Sequence, residues 1–203
     1  MKKGWLAGLG CLGILVIGGI MVLLSVRTAY NDIVAQQQDV NAKWAQVENV
    51  YQRRADLVPN LVATVKGYAG HEKEVLETVT ASRAQVGSIQ VTKDILNNQA
   101  EFQKFQQAQA GLSSALSRLL VVAENYPNLK ANENFLQLQS QLEGTENRIT
   151  VERKRFNESA QSYNTRIKQF PAVVVARFFG FQDKQYFQAA AGSEKAPTVD
   201  FTK

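Results

Sequence analysis

Residues 133–170, ENFLQLQSQLEGTENRITVERKRFNESAQSYNTRIKQF, are the stretch of sequence that decides the fold. Apolar or aromatic side chains occupy every seventh position of this stretch: Phe135, Leu142, Ile149, Phe156, Tyr163 and Phe170. A helix that keeps such a column buries it along a partner helix. Glutamine, glutamate, arginine and lysine dominate the positions between, as on a solvated helix face. The stretch therefore predicts a long amphipathic helix with a coiled-coil-like seam.

The most apolar part of the chain is residues 4–26, which contain no charged side chain. A helix over this run would be roughly 34 Å long, enough to cross the hydrocarbon core of a bilayer. A cleaved signal peptide is the alternative, but the run is too long for one and no small-x-small cleavage pattern follows it. A lipoprotein signal does not fit either, because the apolar run continues past Cys11. We predict a transmembrane anchor at residues 1–27.

Residues 28–171 are predicted to form one domain with an all-α fold, an antiparallel up-and-down four-helix bundle. Apolar residues at helical spacing continue from residue 30 through both Pro59 and the pair Gly67 and Gly70, so either place could hold the first turn. An interior proline costs a helix about 3 kcal/mol and an interior glycine about 1 kcal/mol. We therefore place the turn at residues 56–58 and start the second helix at Pro59.

The remaining helix ends follow from caps and breakers. The second helix is expected to end near Val86, and Thr92 is expected to cap a third helix with Asp94 in its first turn. Pro127 would stop the third helix, and Asn132 would cap the fourth. The four helices come out at comparable lengths joined by short connections.

Residues 172–191 contain the run AVVVARFFGF, which is too apolar for a tail and too short to span a bilayer. A fourth helix that returns toward the membrane would deliver this segment beside the bilayer. We predict that the segment docks on the bundle core or enters the membrane interface, and that residues 192–203 form a flexible tail. The candidate membrane-interface residues are Val173, Val174, Arg177, Phe178, Phe179 and Phe181. In the interface Arg177 and Lys184 would lie near the lipid headgroups.

The composition excludes several classes of function. The chain has 23 basic and 18 acidic residues, and the excess shrinks once the two lysines before the anchor are set aside, which is too weak a charge to indicate nucleic acid. The one cysteine lies in the apolar run and the one histidine is His71, so a conventional zinc site is excluded. His71 and Glu72 match the first two residues of a zinc-protease motif, but Val75 occupies the position of the second histidine. We predict no catalytic residue, no metal and no cofactor.

Short segments between residues 30 and 171 form a recognisable set: Tyr30-Asn31, Trp44, residues 53–62, residues 65–68, His71-Glu72, residues 124–130, residues 145–149, residues 155–157, Tyr163-Asn164 and Phe170-Pro171. Together they resemble the LemA family of bacterial membrane-anchored proteins. The resemblance implies a helical bundle on a single pass through the bacterial cytoplasmic (inner) membrane. It does not imply an activity.

Charged residues of these segments concentrate around the predicted first turn: Arg53, Arg54, Asp56, Lys66, His71 and Glu72. They are candidates for a partner-binding surface. Alternatively, they fix the turn by capping and ion pairing. Asn125, Asn157 and Asn164 are interpreted as polar links that set the register of the helices.

Without a catalytic constellation, we expect a non-enzymatic membrane-anchored scaffold or adaptor. The alternative is an accessory or regulatory subunit of a membrane metalloprotease, such as an HtpX-type protease, or an enzyme with an unrecognised site. Gly4 and Gly8 have the spacing of closely packed membrane helices, which favours a homo-oligomer. Lys2 and Lys3 before the span favour a cytoplasmic amino terminus, and this places the bundle on the extracytoplasmic side.

Overall fold

The computed structural model describes the backbone of residues 2–89 and 93–188, and the side chains of residues 13–89 and 95–188. These residues form helices without a strand: α1 (Lys2–Tyr68), α2 (Lys73–Ser88), a 3-10 helix (Lys93–Asn97), α3 (Gln99–Ala123), α4 (Pro127–Lys130), α5 (Glu133–Lys168) and α6 (Ala172–Phe179). The predicted all-helical class is confirmed. The predicted cap Thr92 and the predicted tail at residues 192–203 lie outside the described residues.

The predicted turn at residues 56–58 is wrong, because α1 continues through Pro59 to Tyr68. Proline has no N–H for the carbonyl of Ala55, four residues earlier. Arg83 of α2 donates its Nε–H to that carbonyl instead, at 3.0 Å. Val58 and Leu61 on either side of the proline are buried, and their burial offsets the cost of about 3 kcal/mol. The chain turns at residues 69–72, beside the glycine pair that was the other candidate.

The helices are not of comparable length, which corrects a second expectation. α2 has 16 residues, α3 has 25 and α5 has 36. α3 begins after the 3-10 helix, where the side chain of Asn98 accepts hydrogen bonds from the backbone N–H groups of the first turn. It ends at Ala123, before Pro127 opens the short α4. Asn132 caps α5 as predicted, by accepting the N–H of Phe135 at 3.0 Å.

The heptad column on α5 is confirmed at five of its six positions, which are buried. The sixth, Phe170, is 84% exposed because α5 ends at Lys168 and Phe170 lies in the turn before α6. α1 and α5 contact each other at widely separated points. Arg166 pairs with Asp32 at 2.7 Å, whereas the amide of Asn132 donates to the Tyr68 hydroxyl at 2.9 Å.

Buried apolar residues form two clusters. The proximal core, nearer the amino-terminal part of α1, is rich in rings: Trp44, Tyr51, Phe102, Phe105, Phe156, Tyr163 and Phe187. The distal core is mainly aliphatic, with Phe135 as its one buried ring. Its large aliphatic members are Val58, Leu61, Val65, Val75, Leu76, Val79, Leu112, Leu116, Leu119, Leu129 and Leu142. The buried residues of α2 belong to the distal core alone.

The first described side chains of α1 face solvent. From Gly13 onward this helix contains a window that is long and apolar enough to cross a membrane, and the large apolar side chains from Ile14 to Val26 are exposed. The same helix then contributes Ile33 and Val40 to the proximal core. α1 has no break at the predicted boundary between residues 27 and 28.

Candidate functional site

Arg54 is the most buried charged residue among the described side chains, with 1% of its surface exposed. Its Nη1 donates to Ser113 Oγ at 2.6 Å and to Glu146 Oε1 at 2.8 Å. Its Nη2 donates to the backbone carbonyl of Gln109 at 3.2 Å and to the side-chain oxygen of the same residue. The guanidinium also lies 5.1 Å from the centroid of the Tyr51 ring. This Arg54 network, comprising Arg54, Gln109, Ser113 and Glu146, ties α1 to α3 and α5.

The chemistry available at the Arg54 network is limited. The guanidinium of Arg54 has hydrogen-bond donors only, and its Nη1 and Nη2 donate to groups within the chain. A groove of about 280 Å³ opens beside it, lined in part by Arg153 and Phe187. Arg153 lies 4.6 Å from the Phe187 ring centroid and donates to the Gln188 carbonyl, so it too is engaged within the chain. The arrangement fixes three helices against one another.

The other five residues of the predicted partner-binding surface do not meet at one place. Arg53 and Asp56 are exposed in the middle of α1, and Asp56 accepts a hydrogen bond from Gln52 at 2.8 Å. Lys66 lies 13 residues after Arg53 on the same helix, which corresponds to about 20 Å. With Arg54 in the interior, the structure divides the six residues among the middle of α1, the core and the distal end.

The distal end of the molecule is the turn at residues 69–72, which contains His71 and Glu72. Glu72 Oε1 accepts the hydroxyl of Tyr126 at 2.9 Å, and this hydrogen bond raises the pKa of Tyr126. His71 is exposed and precedes the first residue of α2, so it shares no helix face with the buried Val75. Within the described ranges no three His, Cys, Asp or Glu side chains come close enough to hold a metal ion.

Asn157 and Asn164 bind the segment that follows α6. The amide of Asn157 donates to the Phe187 carbonyl and its oxygen accepts the Phe187 N–H, both at 2.9 Å. Asn164 makes the same pair of bonds to Lys184, at 2.9 and 2.8 Å. The predicted polar links therefore join α5 to residues 181–188. Asn125 is exposed and takes no part in them.

The placement of Lys184 near the lipid headgroups is wrong, because Lys184 is a core residue. Phe187 is a core residue that sequence reasoning missed. Lys184 is 4% exposed, its Nζ donates to Asn97 Oδ1 at 2.7 Å, and it lies 5.5 Å from the centroid of the Tyr163 ring. Burial, with a smaller effect from the charge of Asp183, raises the pKa of Tyr163 to about 12. The sequence contains one signal for this docked segment: Asn157 and Asn164, which bind it, each follow a member of the heptad column by one position.

α6 has one buried face and one exposed face. Ala172, Val175 and Ala176 belong to the proximal core. The opposite side carries the proximal apolar face, which we define as Val174, Phe178 and Phe179, with exposed fractions of 60%, 82% and 51%.

The remaining predicted interface residues divide between the two sides of α6. Arg177 is exposed, whereas Val173 and Phe181 are half-buried and Phe181 packs against the proximal core. Gly180 makes this possible because its φ of +73°, which favours glycine, ends α6 and turns the chain back toward the core.

Comparison with known proteins gives consistent matches. The sequence model described as LemA family matches residues 43–201, more than half of the chain. "Magnetosome protein MamQ" of Magnetospirillum gryphiswaldense is 27% identical over 192 residues, covering 87% of this chain and 71% of that protein. "Magnetosome protein MamQ 2" of Paramagnetospirillum magneticum is 27% identical over 189 residues, covering 85% and 70%. "Protein LemA" of Metamycoplasma hominis is 24% identical over 160 residues, covering 79% and 69%. None of these names specifies a reaction or a substrate.

Proposed function

This chain belongs to the LemA family, and we propose that it acts as a non-enzymatic scaffold or adaptor held in a membrane by one helix. The observation that carries the proposal is the continuity of α1. One helix leads from an exposed apolar segment at residues 13–26 into the core at Ile33, with no linker between. A domain held this rigidly to its anchor is suited to presenting fixed surfaces at a set distance from a bilayer. Among the described residues no group of three His, Cys, Asp or Glu side chains could hold a metal ion.

We further propose that α1, α2, α3 and α5 form an antiparallel up-and-down bundle. Contacts at both ends of the α1 and α5 pair support opposite directions, because Asp32 meets Arg166 and Tyr68 meets Asn132. For α2 and α3, the ion pair of Glu74 with Arg118 joins the start of one helix to the later part of the other. The heptad column of α5 would then form a coiled-coil seam with α1.

Photo-crosslinking in native membranes tests the scaffold role. A photoreactive phenylalanine analogue is placed at Lys66 near the distal end, and in a second variant at Val121 on α3, both of which are exposed. Mass spectrometry of the adducts should identify the same protein partner in repeated preparations. Recovery of lipid and self-contacts alone would contradict the adaptor role. A membrane metalloprotease among the partners, with its proteolysis changed when this chain is deleted, would favour an accessory subunit instead.

We propose that the domain lies on the extracytoplasmic side of the bacterial cytoplasmic membrane. In a Cys11→Ala background, Gln137→Cys on the exposed side of α5 should react with an impermeant maleimide in intact spheroplasts. Lys3→Cys is the matched control and should be protected until the membrane is opened. The reverse pattern would place the domain in the cytoplasm.

We also propose self-association through the anchor, based on the spacing of Gly4 and Gly8. Light scattering of detergent-solubilised full-length chain should give a mass above that of the monomer. Replacing both glycines with leucine should reduce that mass. A monomer with the anchor intact would refute homo-oligomerisation.

A further inference from the structure

The proximal apolar face is unusual because three large apolar side chains of one short helix are left in solvent. Val174 and Phe178 are four residues apart and therefore lie on one side of α6, with Phe179 beside them. The rings of Phe178 and Phe179 contact each other, with centroids 5.1 Å apart. Phe170, in the turn just before α6, is also exposed. Scattered exposed apolar residues are ordinary, but a contiguous group of them indicates a contact surface.

The position of this face is fixed by its contact with α1. The Phe179 ring lies 4.8 Å from the ring of Tyr30, centroid to centroid. Tyr30 comes four residues after Val26, the last residue of the charge-free run, which is about 6 Å further along the helix. Each headgroup layer of a bilayer is about 5–7 Å deep. If residues 4–26 span the hydrocarbon, the Tyr30 and Phe179 rings therefore lie at headgroup depth.

The charges around the face suit a lipid surface. Asp32 is paired with Arg166, and Asp183 is paired with Lys168 at 2.9 Å. Arg27 and Arg177 are exposed, and neither forms an ion pair with another described residue. The outcome is an apolar face flanked by two available cations, the pattern of an interfacial amphipathic helix. Phenylalanine rings insert readily at this depth, and arginine can reach the phosphates.

We propose that the proximal apolar face is a second membrane contact, which lies in the headgroup layer beside the point where α1 leaves the bilayer. The partner is a lipid surface, favoured by anionic headgroups. This inference rests on the proposed anchoring by residues 4–26. Its consequence is that the domain contacts the bilayer at two points, so that α1 cannot rotate or tilt freely.

Electron paramagnetic resonance of the full-length chain tests the proposal. In a Cys11→Ala background, single cysteines replace Val174 or Phe178, and each carries a nitroxide label. The protein is reconstituted in vesicles of phosphatidylcholine with phosphatidylglycerol, and power saturation measures collisions with oxygen and with a water-soluble nickel chelate. The references are Leu24→Cys in the apolar run and Val151→Cys, an exposed valine on α5. Labels at 174 and 178 should show more oxygen and fewer nickel collisions than the label at 151.

The references separate the possible failures. If the labels at 174 and 178 match the label at 151 while that at 24 is lipid-exposed, the second contact is refuted and the anchoring stands. If the label at 24 meets nickel freely, the anchoring itself is refuted. Spin-spin broadening at 178 that disappears on dilution with unlabelled protein would show that a second copy covers the face, which also overturns the proposal.

A substitution gives an independent readout in the same vesicles. With the label at 174, Phe178→Ser should raise nickel collisions toward those of the label at 151, because the neighbouring ring no longer holds α6 in the interface. Phe178→Trp should preserve the protection. Phe178 is exposed, so neither change should alter the melting temperature. Equal nickel collisions in the two variants would contradict a role for Phe178 in lipid contact.

Discussion

The proximal and distal cores differ both in their side chains and in the elements that enclose them. α1, α3 and α5 contribute to both, but α2 is only about 24 Å long and its buried residues reach only the distal core. In the proximal half the 3-10 helix, α6 and residues 181–188 complete the core instead of α2. They contribute Ile95, Ala172 and Phe187 among others. Most rings of the proximal core come from α1, α3 and α5, and Phe187 comes from residues 181–188. The aliphatic distal core is built mainly from α1, α2, α3 and α5, with Leu129 of the short α4.

The Arg54 network lies where the two cores meet. Tyr51 belongs to the proximal core and Val58 to the distal core, with Arg54 between them on α1. Arg54 donates four hydrogen bonds through Nη1 and Nη2, while its buried Nε–H has no partner among the described residues. Buried polar contacts this specific admit few alternative packings, which favours one register of the helices over others. This domain therefore has two differently built cores joined by one charged network.

The largest expected effect comes from opening the proximal core. Phe156 contacts Trp44 and Phe102, with the Trp44 ring centroid at 5.3 Å, so Phe156→Ala should cost about 4 kcal/mol of unfolding free energy. In the distal core, Leu112→Ala should cost about 3 kcal/mol. Urea unfolding in detergent, followed by Trp44 emission in a Trp5→Phe background, measures both. Only the Phe156 variant should shift the native emission of Trp44 to longer wavelength. The same shift in the Leu112 variant would show that the cores are not distinct.

Removing the counterion of Arg54 should weaken the joint between the cores. Glu146→Ala leaves a buried guanidinium without its carboxylate and should cost about 2 kcal/mol, less than a fully buried pair because Glu146 is partly exposed. Glu143→Ala, an exposed site one turn earlier on α5, is the control and should cost less than about 0.5 kcal/mol. Equal costs in urea unfolding would mean that the ion pair contributes nothing specific.

Loss of one asparagine clasp should release residues 181–188 from the proximal core. Asn164→Ala strands the buried N–H and carbonyl of Lys184, at a cost of about 2 kcal/mol. Trypsin should then cut after Lys184 in the folded protein, as detected by mass spectrometry. Asn147→Ala on the exposed side of α5 is the control and should leave this bond protected. Rapid cleavage after Lys184 in the unchanged protein would contradict the clasp.

A smaller effect tests how α1 tolerates Pro59 in the distal half. Arg83→Ala removes the donor to the Ala55 carbonyl and should cost about 1 kcal/mol. In a Pro59→Ala background the new N–H can bind that carbonyl, so the Arg83 substitution should cost almost nothing. A double-mutant cycle measures the coupling. Arg118→Ala, which removes the pair with Glu74, is the control and should show no coupling to Pro59.

The smallest effect at neutral pH belongs to Tyr163, whose buried hydroxyl has no hydrogen-bond partner among the described residues. Tyr163→Phe should change the unfolding free energy by less than about 0.5 kcal/mol at pH 7, since no hydrogen bond is lost. The folded-state pKa is raised from 10.0 to about 12. Tyr163 holds its proton more tightly in the folded than in the unfolded chain, so its contribution to the unfolding free energy is complete below pH 10 and is lost as the pH rises toward 12.

Alkaline melting curves test the sign of this effect. Between these pH values, Tyr163→Phe should lose less stability than the unchanged chain. Tyr30→Phe, at an exposed site, is the control and should follow the unchanged chain. Parallel curves for Tyr163→Phe and the unchanged chain would contradict a raised pKa.

Local patterns in the sequence predicted the regular parts of the fold. The column on α5 marked the buried face correctly because a seven-residue repeat needs nothing beyond the helix itself. Its failure at Phe170 has a local cause: the helix ends before the column does. Asn132 was identifiable as a cap for the same reason, since the bond it makes spans only three residues.

The features that were missed depend on residues far apart in the chain. The turn was misplaced at Pro59 because the donor that repairs the helix, Arg83, lies 28 residues from the carbonyl it binds. Arg54 was assigned to a surface because burial of a charge depends on partners on α3 and α5. Neither propensity nor spacing contains that information. The split of α6 into two faces likewise depends on which side meets α1 and α5.

The continuity of α1 has a mechanical consequence. From Val26 to Tyr68 this helix extends for about 63 Å without a joint. If its amino-terminal part is set in a bilayer, a change of about 10° in helix tilt displaces the distal turn sideways by about 11 Å. One residue inserted near Arg27 would rotate every distal side chain about the helix axis by about 100°. The chain is thus a lever arm, in which small changes of angle at the membrane become large movements at His71.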